Sequence, residues 1–182
     1  MKEPLLFYSL SVPSVPLWFI KKNQIPKQNM SHQTLENIYN FLQISERIGT
    51  SGQPNPEDFD SIKTAGYEII INLALSDSQN ALNNEQNIVE NLGMTYVHIP
   101  VVWEEPTLYD FLKFCQVMQD NSQKKVFVHC VANMRVSAFM YLYRIVRDRV
   151  SESEAKKDLE KIWKPNETWQ KFIEKVLNHS PL

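Results

Sequence analysis

The chain of 182 residues is long enough for one domain with a sizeable core, and its hydrophobic fraction of 43% and charged fraction of 22% are typical of a soluble globular protein. A net charge of -2 argues against nucleic acid as an obligatory partner, because a phosphate backbone binds to a broad basic surface. Cys115 and Cys130 are far apart and lack metal-ligand spacing, so we expect neither disulfides nor a metal site, and the sequence fits a reducing cytoplasm.

The first 29 residues form an apolar segment that is interrupted by Pro13 and Pro16 and has lysines at both ends. A spanning helix needs about 20 consecutive apolar residues, and a secretory signal needs a proline-free apolar run. We therefore expect no stable membrane insertion and interpret residues 1–29 as a poorly ordered extension, with a targeting or membrane-touching role as the alternative. Residues 30–182 form the predicted domain. Because Met30 resembles a natural start, we expect the extension to be dispensable.

Apolar runs and amphipathic stretches alternate along the rest of the chain. Helix ends are marked by capping residues and glycines, and the apolar run EIIINLAL indicates a strand that is buried on both faces. The predicted elements are a short helix or approach to the sheet at 34–41, an edge strand at 42–50, a helix from Asn55 to Ala65, a strand at 68–75, a helix at 83–92, a strand at 95–99, a helix after Thr107, a strand ending at His129, and helices continuing past Arg135, at 155–163 and at 166–177.

This alternation of strands and helices predicts a three-layer α/β/α fold with a mainly parallel central sheet and right-handed crossovers. In such sheets the ligand site lies beyond the carboxyl ends of the strands. Cys130, residues 72–77 and residues 103–105 all follow predicted strands. We therefore expect these three segments at the same end of the sheet.

Residues 124–139, KKVFVHCVANMRVSAF, combine a strand, a short loop and a helix. Loop amides and a helix N-terminus that face one point bind an oxyanion and favour a thiolate at Cys130, and Arg135 can bind two oxygens of the same anion. The loop has no glycine, and Asn133 is the residue type that best tolerates a left-handed backbone. We predict Cys130 as nucleophile and Arg135 as anion ligand. The predicted substrate-binding residues are Val131, Ala132, Asn133, Met134 and Ser137.

A phosphoryl transfer also needs an acid that protonates the leaving oxygen. The segment WEEPT follows the third strand, and we choose Glu104 as general acid, with Glu105 as the alternative and a solvated loop as the simpler interpretation. His129 is interpreted as a structural histidine that orients the loop. Cys115 lies in the apolar stripe of its helix and is predicted to be a core residue.

The segments EIIINLAL, HIPVVWEEPT and VFVHC followed by arginine resemble the cysteine-dependent protein tyrosine phosphatase superfamily, especially its small dual-specificity branch. Together with SGQPNPEDF, they look like a bacterial phosphatase-like family related to the domain that accompanies beta-lactamase-like hydrolases in sulfide metabolism. The resemblance covers roughly residues 38–172. It implies the phosphatase fold, a cytoplasmic location, a Cys130 nucleophile and phosphate binding by Arg135.

The spacing departs from that superfamily, because only four residues separate Cys130 from Arg135 where the tyrosine phosphatase signature has five, and the acid is Glu rather than Asp. A loop of this length resembles that of rhodanese-like sulfurtransferases, whose cysteine carries a persulfide. We predict a phosphatase that hydrolyses a phosphate monoester, on a small molecule or a protein, through a phosphocysteine and without a metal or cofactor. The alternatives are a sulfurtransferase that uses a Cys130 persulfide and a catalytically silent anion-binding module.

Overall fold

The computed structural model describes residues 34–179. The predicted extension at residues 1–29 and the proposed start at Met30 lie outside the described residues. Within the described part, no helix is long and apolar enough to cross a membrane.

The described residues contain one five-stranded sheet, whose strands are β1 Leu42–Ser45, β2 Ile48–Ser51, β3 Ile69–Asn72, β4 Thr95–His98 and β5 Val126–His129. Their order in the sheet is β1-β2-β5-β3-β4. β1 and β2 pair antiparallel, and the other neighbouring strands pair parallel. The prediction of a mainly parallel sheet is confirmed. Because β5 lies between β2 and β3, the residue that follows β5 emerges near the middle of the sheet edge.

The single edge strand predicted over residues 42–50 is wrong, because the structure forms a hairpin there. Glu46 and Arg47 make the turn, so only β1 lies at the edge and β2 pairs with β5 inside the sheet. Neither residue belongs to the asparagine-glycine type that marks a tight hairpin in a sequence. Glu46 interrupts the alternation of apolar and polar residues, but without a turn residue this single irregularity did not indicate two strands.

Helices cover both faces of the sheet, as the predicted three layers require. The helices are α1 Asp58–Thr64, α2 Glu85–Asn91, α3 Leu108–Asp120, α4 Met134–Val146, α5 Glu152–Ile162 and α6 Glu167–His179, and a 3-10 turn spans Leu35–Asn37. Odd-numbered residues of β3, such as Ile69 and Ile71, pack in one core with α3, α4, α5 and α6, whereas Ile70 and Phe127 pack in a second core with α1 and α2. This division follows from the alternation of side chains along a strand.

Several predicted helix ends are confirmed. Thr107 forms a capping box with Asp110, Ser151 accepts a hydrogen bond from the backbone of Glu154, and Gly66 and Gly93 follow α1 and α2 with positive φ angles. These signals are local, which is why they could be read from the sequence.

Cys115 is a core residue, as predicted: it is buried in α3 among the aromatic side chains of the first core. Burial raises the pKa of its thiol, with smaller opposing contributions from Arg147. A neutral thiol in this environment is a packing group, which leaves Cys130 as the cysteine placed for chemistry.

Candidate active site

Three loops at the carboxyl ends of parallel strands meet around one cavity of about 300 Å³. The loop after β3 contributes Ser78 and Gln79, the loop after β4 contributes Trp103, and the loop after β5 contributes Cys130. This arrangement confirms the expectation that these segments lie together at one end of the sheet. The other described residues that line the cavity are Val131, Ala132, Met134 and Arg135.

Cys130 directly follows β5 and is 1% exposed. Its backbone amide donates to the carbonyl of Ser51 over 3.3 Å, and the carbonyl of His129 accepts from the amide of Leu73 over 2.9 Å. The backbone on entering the loop is therefore held by strands on both sides. The cysteine is fixed at the base of the cavity rather than carried on a free loop.

Asn133 turns the chain from strand to helix. Its φ angle of 64° is left-handed, as the sequence predicted, and α4 begins at the next residue. The Asn133 side chain is buried and donates from Nδ2 to the carbonyl of Asn40 (2.7 Å) and to Oγ1 of Thr50 (3.0 Å). Asn40 donates in return to the carbonyl of Ala132 over 3.0 Å. The loop is thus fixed to Asn40, just before β1, and to Thr50 within β2.

Gly52 and Gln53 support the other side of the loop. The amide of Gln53 donates to the carbonyl of Val131 over 3.1 Å. A Cβ atom at Gly52 would lie only 2.9 Å from the same carbonyl oxygen and 2.8 Å from the ring of Tyr39. This close approach of two backbone segments requires glycine at position 52.

Arg135 lies in the first turn of α4 and is 8% exposed. Its buried Nε atom has no hydrogen-bond partner, and no described carboxylate forms an ion pair with the guanidinium. The guanidinium stacks on Trp103, with Cζ 5.4 Å from the ring centroid. A buried cation is costly unless an opposite charge pairs with it. The cavity is therefore electrostatically suited to an anion.

Trp103 is held in place by an aromatic cluster. Its ring centroid lies 5.2 Å from that of Trp163 and 5.3 Å from that of Trp169, and the Trp169 indole donates to its carbonyl over 3.0 Å. Glu104 and Glu105 follow directly; both are exposed and neither is among the described residues that line the cavity. The anchored tryptophan keeps this acidic segment beside the site, and the role of Glu104 as acid stays a prediction.

Ser137 does not line the cavity within the described part of the chain. Its hydroxyl donates to the carbonyl of Met134 and accepts from the Trp163 indole, both over 3.0 Å. A hydroxyl has one hydrogen to donate, and here Met134 receives it. The structure thus places Ser137 in a helix-to-helix contact rather than against the cysteine, unlike the predicted substrate contact.

His129 ends β5, as expected, and is completely buried. Its Nε2 lies 3.1 Å from Oε1 of Glu85. The ring also packs edge-on against Phe59. Its burial is that of a structural histidine rather than of a solvent-exposed base.

Four residues that support the site were not predicted: Asn40, Thr50, Gly52 and Glu85. The stacking of Trp103 on Arg135 was not predicted either. Asn40 and Thr50 contact the loop from more than 80 positions away in the chain. No local pattern contains such a contact. The need for glycine at position 52 is also not local, because it comes from the approach of Val131.

Two substitutions of Asn133 separate the contribution of its side-chain hydrogen bonds from that of its left-handed backbone conformation. Asn133→Ala should lower the free energy of unfolding by about 2–4 kcal/mol, since it loses two hydrogen bonds and alanine tolerates a left-handed backbone less well than asparagine does. Asn133→Gly, which loses only the hydrogen bonds, should cost roughly half as much. Urea unfolding of both variants measures the difference. Equal losses would mean that the backbone conformation contributes nothing.

Comparison with known proteins supports a phosphatase fold. A putative phosphatase from Shewanella putrefaciens CN-32 is 32% identical and superposes with a TM-score of 0.74, covering 81% of this chain and 97% of that one. The PP-IP phosphatase SIW14 from S. cerevisiae, at 16% identity and a TM-score of 0.63, covers 75% of this chain and 85% of that one, and shares the fold alone.

Sequence relatives include a beta-lactamase hydrolase-like protein from Xylella fastidiosa, which is 28% identical over 117 residues. The match covers 63% of this chain but only 27% of that protein, so the chain spans about a quarter of the relative's length. The model of one phosphatase family matches residues 21–175. The chain therefore belongs to the family described as DSP-PTPase phosphatase fused to NAD+ kinase, within the cysteine-dependent tyrosine phosphatase superfamily.

Proposed function

We propose that this phosphatase hydrolyses a phosphate monoester, on a small molecule or a protein, through a phosphocysteine on Cys130. The observation that carries the proposal is the buried, unpaired guanidinium of Arg135 in the same cavity as Cys130. A phosphoryl group supplies the negative charge that this cation lacks, and its oxygens match the planar fork of arginine. The loop amides at the start of α4 add further donors.

In the first step the Cys130 thiolate attacks phosphorus, and the bond between phosphorus and the leaving oxygen breaks. Arg135 and the loop amides stabilise the negative charge on the equatorial oxygens in the transition state. Such electrostatic stabilisation supplies most of the catalysis in phosphoryl transfer. Glu104, in its protonated form, donates a proton to the leaving oxygen. The products are an alcohol or phenol and a phosphocysteine.

In the second step water attacks the phosphocysteine, and the Glu104 carboxylate accepts the proton of that water. The sulfur–phosphorus bond breaks, the thiolate returns and inorganic phosphate leaves. We place the reaction in the cytoplasm, because a thiolate nucleophile requires a reducing environment and both cysteines of the chain are free.

Cys130→Ser should lower kcat for 4-nitrophenyl phosphate by about a thousandfold or more, because the hydroxyl is a far weaker nucleophile than the thiolate. Phosphate release measures the effect. The matched control is Cys115→Ser, which should lower the melting temperature but keep kcat, since Cys115 is in the core.

The same assay distinguishes the alternatives. A persulfide on Cys130 after incubation with thiosulfate, without phosphate release from any ester, would replace the phosphatase with a sulfurtransferase. Binding of inorganic phosphate without either reaction would leave an anion-binding module.

Arg135→Lys should lower kcat/KM about a hundredfold, because lysine cannot bind two phosphoryl oxygens in the same plane. Steady-state kinetics and the affinity for inorganic phosphate measure the loss. Arg144→Lys is the control on the same helix, where the arginine pairs with Asp158 and Glu154 instead. If both variants keep wild-type kinetics, Arg135 does not bind the anion.

Glu104→Gln should lower kcat/KM, which reports the first step, about a hundredfold for phenyl phosphate, whose phenolate is a poor leaving group. The loss should be much smaller for 4-nitrophenyl phosphate, whose leaving group needs no proton. The ratio of the two rates is the measurement, and Glu105→Gln is the control on the neighbouring residue. If the ratio of the phenyl phosphate rate to the 4-nitrophenyl phosphate rate is unchanged in Glu104→Gln and reduced in Glu105→Gln, the general acid is Glu105.

A further inference from the structure

The positive charge of the cavity around Cys130 is carried by one side chain. Arg135 is the only basic residue among the described residues that line this cavity. The lining residues other than Arg135 and Cys130 are two uncharged polar ones and four apolar ones. They are Ser78, Gln79, Trp103, Val131, Ala132 and Met134. A ligand in the cavity therefore meets a single guanidinium, together with the loop amides.

The two segments that form the outer walls of the cavity also carry acidic residues. Asp77 directly precedes Ser78, and Glu104 and Glu105 directly follow Trp103. The side chains of all three acidic residues are exposed. A substrate group that extends out of the cavity along either segment therefore approaches carboxylates rather than cations.

Two other basic residues lie at the opposite end of the sheet, where the parallel strands begin. Lys125 directly precedes β5 and Arg47 directly precedes β2, and each donates to a backbone carbonyl over 3.1 Å. Lys164 follows Trp163, yet it lines a separate groove between α5 and α6. None of these three basic residues is among the described residues that line the cavity.

This distribution of charge suits one phosphoryl group and opposes a second one. A phosphoryl group carries about −1.5 to −2 charges at pH 7, and the first one that binds occupies the guanidinium of Arg135. A second phosphoryl group on the same substrate brings the same charge again, close to the first group and to the acidic walls. Like charges repel more strongly where protein side chains exclude water than they do in bulk solvent.

We propose that the site selects substrates with a single phosphoryl group on an uncharged organic part and discriminates against substrates that carry a second phosphoryl group. The inference rests on the proposed function, because it concerns the same cavity, and it narrows the substrate from any phosphate monoester to this class. The uncharged part packs against apolar lining side chains such as Trp103 and Met134. Gln79 lines the cavity and is exposed, so a cation placed there would attract a second anionic group.

The test compares two aryl phosphates that differ in one anionic group. 4-(Hydroxymethyl)phenyl phosphate is uncharged opposite the ester, whereas 4-(phosphonomethyl)phenyl phosphate carries there a phosphonate that represents the second phosphoryl group and is not hydrolysed. Release of inorganic phosphate by the full chain gives kcat/KM for both substrates. We expect kcat/KM to be about tenfold higher for the hydroxymethyl substrate at low ionic strength, and the preference to shrink as salt screens the repulsion.

Adding a cation to the cavity should weaken this preference. Gln79→Lys should reduce it about fivefold, because the ammonium group pairs with the phosphonate. Gln79→Met, which is uncharged and of similar length, should keep the wild-type preference. Gln116→Lys changes the net charge equally at an exposed position of α3 that is not among the described lining residues, and it should also keep the wild-type preference.

A wild-type kcat/KM for the phosphonomethyl substrate that equals or exceeds that for the hydroxymethyl substrate would overturn the proposal. Equal preferences in Gln79→Lys and Gln116→Lys would also contradict it, because the charge of the cavity would then not set the selection. If Gln79→Lys does not fold, Ser78→Lys takes its place.

Hydrolysis of neither substrate by the wild-type chain is a separate result, which would contradict the proposed function. The affinities of benzylphosphonate and of 1,4-xylylene bisphosphonate, measured by calorimetry, then decide the charge selection. Tighter binding of benzylphosphonate would support the proposal, and equal or weaker binding would overturn it.

Discussion

The active-site loop depends on one backbone conformation, the left-handed turn at Asn133. With a φ angle of 64° at this residue, the chain passes from β5 to α4 within four residues after Cys130. The N-terminus of α4 therefore faces the cysteine, and Arg135 enters the same cavity from the first turn of that helix. The side chain of Asn133 then fixes the turn by binding Asn40 and Thr50. Since the positions of the loop amides, the helix and the guanidinium follow from this turn, the proposed anion site depends on the backbone as much as on the side chains.

The two cores support the loop in different ways. On the face of α3, α4 and α6, the support is aromatic: Trp163 and Trp169 hold Trp103, which stacks on Arg135. On the face of α1 and α2, it is polar and passes through Glu85 to His129. Aromatic packing excludes water from the guanidinium and strengthens its interaction with an anion, whereas the polar contacts fix the position of the backbone beside Cys130. The loop thus has an aromatic side and a polar side.

How much could be predicted from the sequence depended on how local the signal was. The strand–loop–helix around Cys130, the left-handed Asn133 and the capped start of α3 are encoded within a few neighbouring residues, and they were predicted correctly. Glu85 has the appearance of an ordinary solvated acid in the first turn of a helix, because its partner His129 lies 44 positions later in the chain. The predicted substrate contact of Ser137 differs from the structure for the same reason, since its hydroxyl accepts a hydrogen bond from Trp163, 26 positions away. The hairpin of β1 and β2 lacked a turn signal.

The four-residue spacing between Cys130 and Arg135 does not by itself distinguish phosphoryl transfer from sulfur transfer. Helix amides and a guanidinium stabilise a thiolate for either reaction, so the anion-binding loop serves both. The reactions differ at the leaving group: release of an alkoxide from phosphorus requires a proton donor, whereas transfer of a sulfane sulfur does not. A loop with two carboxylates, anchored beside the site through Trp103, meets a requirement that only phosphoryl transfer has. The cavity of Cys130 and Arg135 supports an anion-binding site for either reaction, and the acidic loop after β4 is the feature that favours phosphoryl transfer over sulfur transfer.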